Sequence, residues 1–390
     1  MKIGYIINSL DGGGAAQPVA DVVGLMREQG HEVRVYALMQ KDGLARGRLD
    51  AAGIPYEMLG GASRERLAAP LRLLGRLRRD PPDLLWTSLT HATLAGQLIG
   101  RLLNIPVVSW QHNAFLKPAN KLMLRRTRRL SRHYVCDSDT VAAWAARELA
   151  IPPAQISVWP LFIADPAAPP AKPWPGRGPF RIGSLGRLHP NKRHDTLIRA
   201  AAMLREREPA LYERCEFAIA GDGPERARLQ AMVRELGLER FHFDLYQANA
   251  KAWLAGLHLY VQPSRNEGLC LAVHEAMQAG LPVITTPVGE LPRSIKEGRT
   301  GHFFEIGNAP ALAGWMAKLA GDPKAAWIMG QHAKDWVQRV YGRNAFRAHG
   351  LQALAAALEG VPERQPQFSV SSSVAAAGSS HQETSASLPS

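Results

Sequence analysis

Cysteine is scarce in this chain: Cys136, Cys215 and Cys270 are the only three in 390 residues. They are too few and too scattered for a disulfide framework, and no zinc-ligand spacing joins them. That usage suits a reducing, cytoplasmic compartment. Long apolar runs are missing as well, since nowhere do the ~18 consecutive apolar residues occur that a membrane-crossing helix needs. The opening segment MKIGYIINSLDGGG has only a short apolar run ending in Asn, Ser, Asp and glycines, which predicts a first β-strand, not a secretory leader. Acidic residues are under-represented, with 34 Asp and Glu against 47 Lys and Arg, a formal net charge of +13. Such an excess favours an anionic partner: nucleic acid, lipid head groups or a phosphorylated substrate. The basic residues form no helix-turn-helix, zinc-finger or aromatic RNA-binding pattern, so nucleic acid is not expected.

What is present is the balance of a folded α/β protein, 46% apolar and 21% charged, and long enough for two domains. Short β-rich runs alternate with helical stretches, which predicts parallel sheets covered on both faces. Strands are expected at 2–8, 31–38, 83–87, 106–111 and 134–138, the last of these closing a first series. A second series is expected at 180–185, 216–220, 241–245, 259–262 and 283–285. Seven prolines between Pro160 and Pro179 mark a stiff connector between the two. The expected organisation is an N-terminal Rossmann-like domain over 1–160, a Pro-rich linker over 161–178, and a C-terminal domain over 179–345. A crossover helix should end over 346–360. The Ser- and Ala-rich segment 361–390 cannot bury enough apolar surface to fold and is expected to be disordered.

The segment RNEGLCLAVHEAMQAGLPVITT (265–286) carries the most chemistry. Seven residues separate Glu267 from Glu275. A helix starting near Leu271 would put Glu267 and the amides of Gly268, Leu269, Cys270 and Leu271 at its N-terminus. Free amides backed by the helix dipole suit a diphosphate. Carboxylates at either side suit the hydroxyls of a sugar and a ribose. The glycines of DGGGAAQ, Gly13 and Gly14 among them, follow the first strand and allow close backbone approach to a phosphate or sugar. No acid ends the second strand, so a nicotinamide-dinucleotide site is disfavoured.

This element resembles the Glu-x7-Glu motif of the retaining GT-B glycosyltransferases of family 4, including the Ala-Met-x-Ala-Gly-x-Pro-Val-Ile that follows it. GSLGRLHPNKRHDTLIRAA (183–201), AIAGDGPERARLQ (218–230) and DSDTVAAWAARELAIPPAQISVWP (137–160) resemble further family segments, in the same order. The resemblance implies the GT-B fold: two facing Rossmann-like domains, with a C-terminal helix crossing back to the first. It implies transfer of a sugar, with retention, from a UDP- or GDP-sugar. Arg187 and Lys192 would neutralise the donor diphosphate, with Arg193 a possible helper. Glu275 would bind the ribose and Glu267 the transferred sugar, while His112 would approach that sugar from the other domain. His91 is a weaker candidate at a neighbouring strand end. No cofactor or metal is required, because the cations take the metal's electrostatic role. Two departures stand out. Ala16 replaces the family's Glu in the glycine loop, and Trp159-Pro160-Leu161-Phe162-Ile163 lacks the Asn-Gly common at that point.

The expected acceptor is a glycan or a lipid-linked precursor of a cell-surface polysaccharide such as lipopolysaccharide. Two arginine-rich stretches, 64–79 and 117–133, predict contact with an anionic membrane surface at its cytoplasmic face. In the first, Leu67, Leu71 and Leu74 recur at helical spacing, as do Arg72, Arg76 and Arg79. The alternatives are a nucleotide-sugar epimerase of the same shape and a non-catalytic nucleotide-sugar binder.

Overall fold

A computed structural model describes residues 1–11, 14–40, 43–61, 68–245 and 249–363. Gly13, the beginning of the first arginine-rich stretch, and all but the first three residues of the expected tail lie outside the described residues.

Two parallel sheets divide the chain. The first contains β1 (Lys2–Ile7), β2 (Glu32–Ala37), β3 (Tyr56–Met58), β4 (Leu84–Ser88), β5 (Val107–Gln111), β6 (His133–Cys136) and β7 (Ile156–Val158), in the order β3-β2-β1-β4-β5-β6-β7. The second contains β8 (Phe180–Leu185), β9 (Cys215–Ala220), β10 (Phe241–Asp244), β11 (Leu259–Gln262), β12 (Val283–Thr285) and β13 (Gly301–Phe303), in the order β10-β9-β8-β11-β12-β13. Strand order reverses between β1 and β4 in one sheet and between β8 and β11 in the other. Such switch points leave a crevice at the carboxyl ends of the strands. The first series does not close at β6, as expected from sequence. Residues 156–158 add β7, held to β6 in the register Tyr134↔Ile156. β3 and β13 are likewise three-residue strands absent from the expectation.

The N-terminal core is built on aromatics. Trp86, Trp110 and Trp159 are fully buried, with ring centroids 5.0–6.3 Å apart. Phe346 completes the cluster from the far end of the sequence, 5.3 Å from Trp159. It belongs to the last helix, Arg343–Leu358, which packs on the first domain by burying Phe346, Ala353, Leu354 and Ala357. Gly350 sets how close that helix comes: a β-carbon there would lie 2.3 Å from Leu25 and 2.6 Å from Trp159. The crossing back starts at Arg343, where Gly342 ends the preceding helix, Pro323–Tyr341.

The proline-rich connector is not a free spacer. Phe162, Ala164 and Ala171 are buried against Val273, Ala276 and Met277 of the second domain. The amide of Ala171 donates to the Ala279 carbonyl at 2.7 Å and that of Ala164 to the Tyr341 carbonyl at 2.7 Å. Ala164 bridges Gly342 in parallel, so the outgoing and returning connections run side by side.

Candidate functional site

The second-domain switch point gathers the motif residues. The loop after β8 carries Arg187 and Lys192, and the loop after β11 carries Glu267. Lys192 Nζ lies 2.7 Å from Glu267 Oε1, which also accepts from the Ser264 hydroxyl at 2.6 Å. Gln262 stands behind, donating to Ser264 at 2.8 Å and accepting from the Tyr260 hydroxyl at 2.6 Å. The two loops are further tied by Asn191 and Asn266, whose side-chain amides meet at 3.2 Å. Burial opposes the charge on Lys192, but the nearby Glu267 carboxylate outweighs it and holds the ammonium above its ordinary pKa. Arg187 is exposed and its guanidinium has no partner among the described residues. Arg193, the expected helper, pairs with Asp195 at 3.2 Å.

The helix Leu271–Gln278 begins where the sequence predicted. Cys270, at its N-cap, has a left-handed backbone with φ 63° and offers no side-chain cap. The amides of Gly268, Leu269, Cys270 and Leu271 donate to no backbone carbonyl among the described residues. Unpaired amides and the helix dipole together favour an anion in front of this helix. His274 anchors the helix: it is buried between the Cys270 carbonyl and the Ser294 hydroxyl, each at 3.0 Å, and burial pushes its pKa down to about 4. Glu275 sits one turn inside the helix. Burial raises its pKa to about 7, opposed by Lys251 and by Arg48 of the first domain.

The first domain meets this loop directly. A β-carbon on Gly268 would lie 2.3 Å from the His112 carbonyl oxygen, and one on Gly14 would lie 3.4 Å from Leu271. His112 follows β5 and is buried, with both ring nitrogens engaged. Asp137 meets Nδ1 at 3.0 Å and the Ser88 hydroxyl meets Nε2 at 2.7 Å. Trp110 stacks on the imidazole at 5.8 Å and donates its indole N–H to Asp137 at 2.6 Å. Ser88, which ends β4, and Asp137, which follows β6, flank β5 and escaped the sequence reading, as did Ser264 and Gln262. Polar residues at adjacent strand ends were the available clue. His91 is exposed, its ring 3.5 Å from the Asn8 amide. Thr140 crosses the cleft to Glu290 and Arg293 at 3.1 and 2.6 Å.

One Asp-x-Asp is present, Asp137-Ser138-Asp139, but its first carboxylate is taken by His112 and Trp110 and its second opens a helix. Among the described residues no three His, Cys, Asp or Glu side chains converge.

Two family models match the chain. Residues 12–165 match the one described as Glycosyltransferase Family 4, and residues 171–336 the one described as Glycosyl transferases group 1. The D-inositol 3-phosphate glycosyltransferase of Thermomonospora curvata is 35% identical over 157 residues, 38% of this chain and 36% of that protein. The protein of the same name from an Arthrobacter species is 26% identical over 66% of this chain and 68% of its own. The chain spans between about a third and two fifths of the length of the first such relatives. Among solved structures, Anabaena HepE in complex with UDP and glucose superimposes with a TM-score of 0.78 at 20% identity, covering 91% of this chain and 99% of that one. The lipopolysaccharide outer core galactosyltransferase WaaB in its apo form gives 0.71 at 17% identity, covering 91% and 99%. These likenesses are of fold.

Proposed function

Because the chain belongs to the glycosyltransferases, matching family 4 in its first half and group 1 in its second, we propose that it transfers a sugar, with retention, from a nucleotide-diphosphate sugar. One observation carries this reading. Lys192, Glu267 and the unpaired amides of 268–271 converge before one helix, facing His112 across a cleft. The amides and two cations suit a diphosphate, and the carboxylates beside them suit hydroxyls. That HepE was solved with UDP and with UDP-glucose supports a UDP-sugar over a GDP-sugar.

In this reading Arg187 and Lys192 stabilise the charge that builds on the departing diphosphate. Lys192 exchanges Glu267 for phosphate, which releases the Glu267 carboxylate to a sugar hydroxyl. Glu275 takes the ribose. The acceptor hydroxyl attacks from the face the diphosphate leaves, its oxygen bonding the anomeric carbon as the bond to the phosphate oxygen breaks and its proton passing to that departing oxygen, so configuration at the anomeric carbon is kept. No metal is needed for that step, since the cations and amides supply the positive charge. The acceptor is a glycan or lipid-linked precursor of a cell-surface polysaccharide, handled on the cytoplasmic side. The relatives named for an inositol-phosphate substrate keep a small phosphorylated polyol as a second acceptor class.

Thermal stabilisation by a panel of nucleotide-sugars tests the donor, because a tight ligand must raise the melting temperature. Transfer from the stabilising donor, with the product's anomeric configuration read by NMR, tests the chemistry. Stabilisation without transfer or donor hydrolysis would leave a binding protein. Conversion of the free nucleotide-sugar to its epimer would make it an isomerase.

A further inference from the structure

The first domain carries an outward face with both unpartnered cations and exposed apolar side chains. Three helices lie in one layer on its sheet: 68–79, 90–103 and 118–127, the middle one packed between the others. Their inner residues, including Leu73, Leu77, Ile99 and Leu124, form the core. Their outer surface exposes Leu98 at 61%, Leu102 at 60%, Leu122 at 49% and Met123 at 42%. Phe115, 54% exposed, extends this face along the loop that starts at His112, so its apolar edge reaches the rim of the cleft.

The three helices carry cations and no acid of their own, and the neighbouring acids Glu57 and Glu148 pair with Arg76 and Lys121. Between residues 68 and 136 there are twelve Lys and Arg and two Asp. Both aspartates are spent, Asp80 on the Lys2 ammonium and Asp83 on the Lys2 amide. The sequence singled out Arg72 and Arg76, but Arg72 donates to the Leu59 carbonyl and Arg76 pairs with Glu57. The cations without an acidic partner among the described residues include Arg101, Arg125, Arg126 and Arg129. Leu98 with Arg101 and Leu102, and Leu122 with Arg125 and Arg126, recur at helical spacing, so each helix presents leucine and arginine on one stripe.

We propose that this face docks on an anionic lipid surface, with Leu98, Leu102, Phe115, Leu122 and Met123 entering the head-group region and the arginines meeting lipid phosphates. Arginines flanking buried leucines are what an interfacial layer takes. A nucleic acid would be served by cations alone and by aromatic platforms, and exposed leucines would stay unused. Among the described residues no helix is long and apolar enough to cross a membrane, so attachment here is at the surface. The inference stands on the surface alone and does not rest on the transfer reading.

The test is sedimentation of the full chain with phosphatidylcholine vesicles with and without phosphatidylglycerol, at low and high salt. The wild type should sediment with the anionic vesicles at low salt only. Arg101→Glu with Arg126→Glu should weaken that binding at least about tenfold. Leu98→Ser with Leu122→Ser should weaken it several-fold. All four positions are exposed, so melting temperatures and donor-induced stabilisation should stay as in the wild type. Phe115→Ser gives an independent apolar variant. The proposal is overturned by absence of anionic-vesicle binding at low salt. It is equally overturned if the Leu98→Ser, Leu122→Ser double variant and Phe115→Ser both bind like wild type, or if a duplex oligonucleotide competes the protein off the vesicles without regard to the leucines.

Discussion

Arg187 and Lys192 reach the same loop in opposite states, one exposed and unpaired, the other clamped to Glu267. Their alanine variants should therefore differ. Arg187→Ala should leave the melting temperature unchanged while lowering turnover about a hundredfold, the usual loss when a group meeting transition-state charge is removed. Lys192→Ala should lower turnover as well, but it leaves the 9%-exposed Glu267 side chain without its cation, which costs about 2 to 3 kcal/mol. Urea denaturation of both variants distinguishes the cases; equal stability would mean that the ion pair contributes nothing to the fold. Glu275 sets a pH dependence. Burial raises its pKa to about 7 from 4.5, so the folded state holds a proton that the unfolded state gives up. Its contribution to stability is full below 4.5 and is lost as pH rises through about 7. Donor affinity should move the other way, rising roughly fivefold or more from pH 6 to pH 8 as the carboxylate ionises to accept ribose hydroxyls. Calorimetry on Glu275→Gln should give weak, pH-independent binding; a variant that keeps the wild-type slope would assign the titration to another group.

At the level of elements, legibility followed burial pattern and length. The longer strands and the helix at Leu271–Gln278 were visible because apolar runs are bounded by glycine or by the motif itself. The edge strands β3, β7 and β13 were not. Three residues give no period, and pairing with a neighbouring strand makes them strands, which no local pattern encodes. The same holds at the site. Glu267, Glu275, Arg187 and Lys192 lie in contiguous motifs, whereas Asp137 and Ser88 find His112 only through the order of β4, β5 and β6. In the helix 68–79 Leu73 and Leu77 are the buried positions, while of the leucines expected to meet a membrane surface Leu71 is 70% exposed and Leu74 is partly buried. The last helix is held chiefly by Phe346 on Trp159. Phe346→Ala should destabilise by about 3 kcal/mol or more and expose Trp159, measurable as a red shift in tryptophan emission; an unshifted spectrum would show that the helix docks without it.

For the whole molecule, the state described here is closed at Gly268, whose hydrogen atoms face the His112 carbonyl. Gly268→Ala should keep the domains apart. Donor-induced thermal stabilisation should persist, because the second domain carries the anion site, while transfer falls at least about tenfold through lost alignment. Small-angle scattering should report a larger radius of gyration than the wild type; an unchanged radius with normal transfer would mean that the loop yields locally. The sequence beyond residue 365 has little apolar content, and deleting 366–390 should alter neither solubility nor transfer. An insoluble product would show that it docks.

The paired passage at Ala164 and Gly342 has a mechanical consequence. A body joined to another by two strands at separate places can neither swing nor slide freely; joined by two at one place, it keeps a single swing. The contacts across the cleft described above, Thr140 to Glu290 and Arg293, His112 to Gly268 and Gly14 to Leu271 among them, are non-covalent and can part. Displacement then grows with distance from the pivot. The packing of Phe162 against Tyr341 beside it can stay intact through a full stroke, while the lips of the cleft travel furthest.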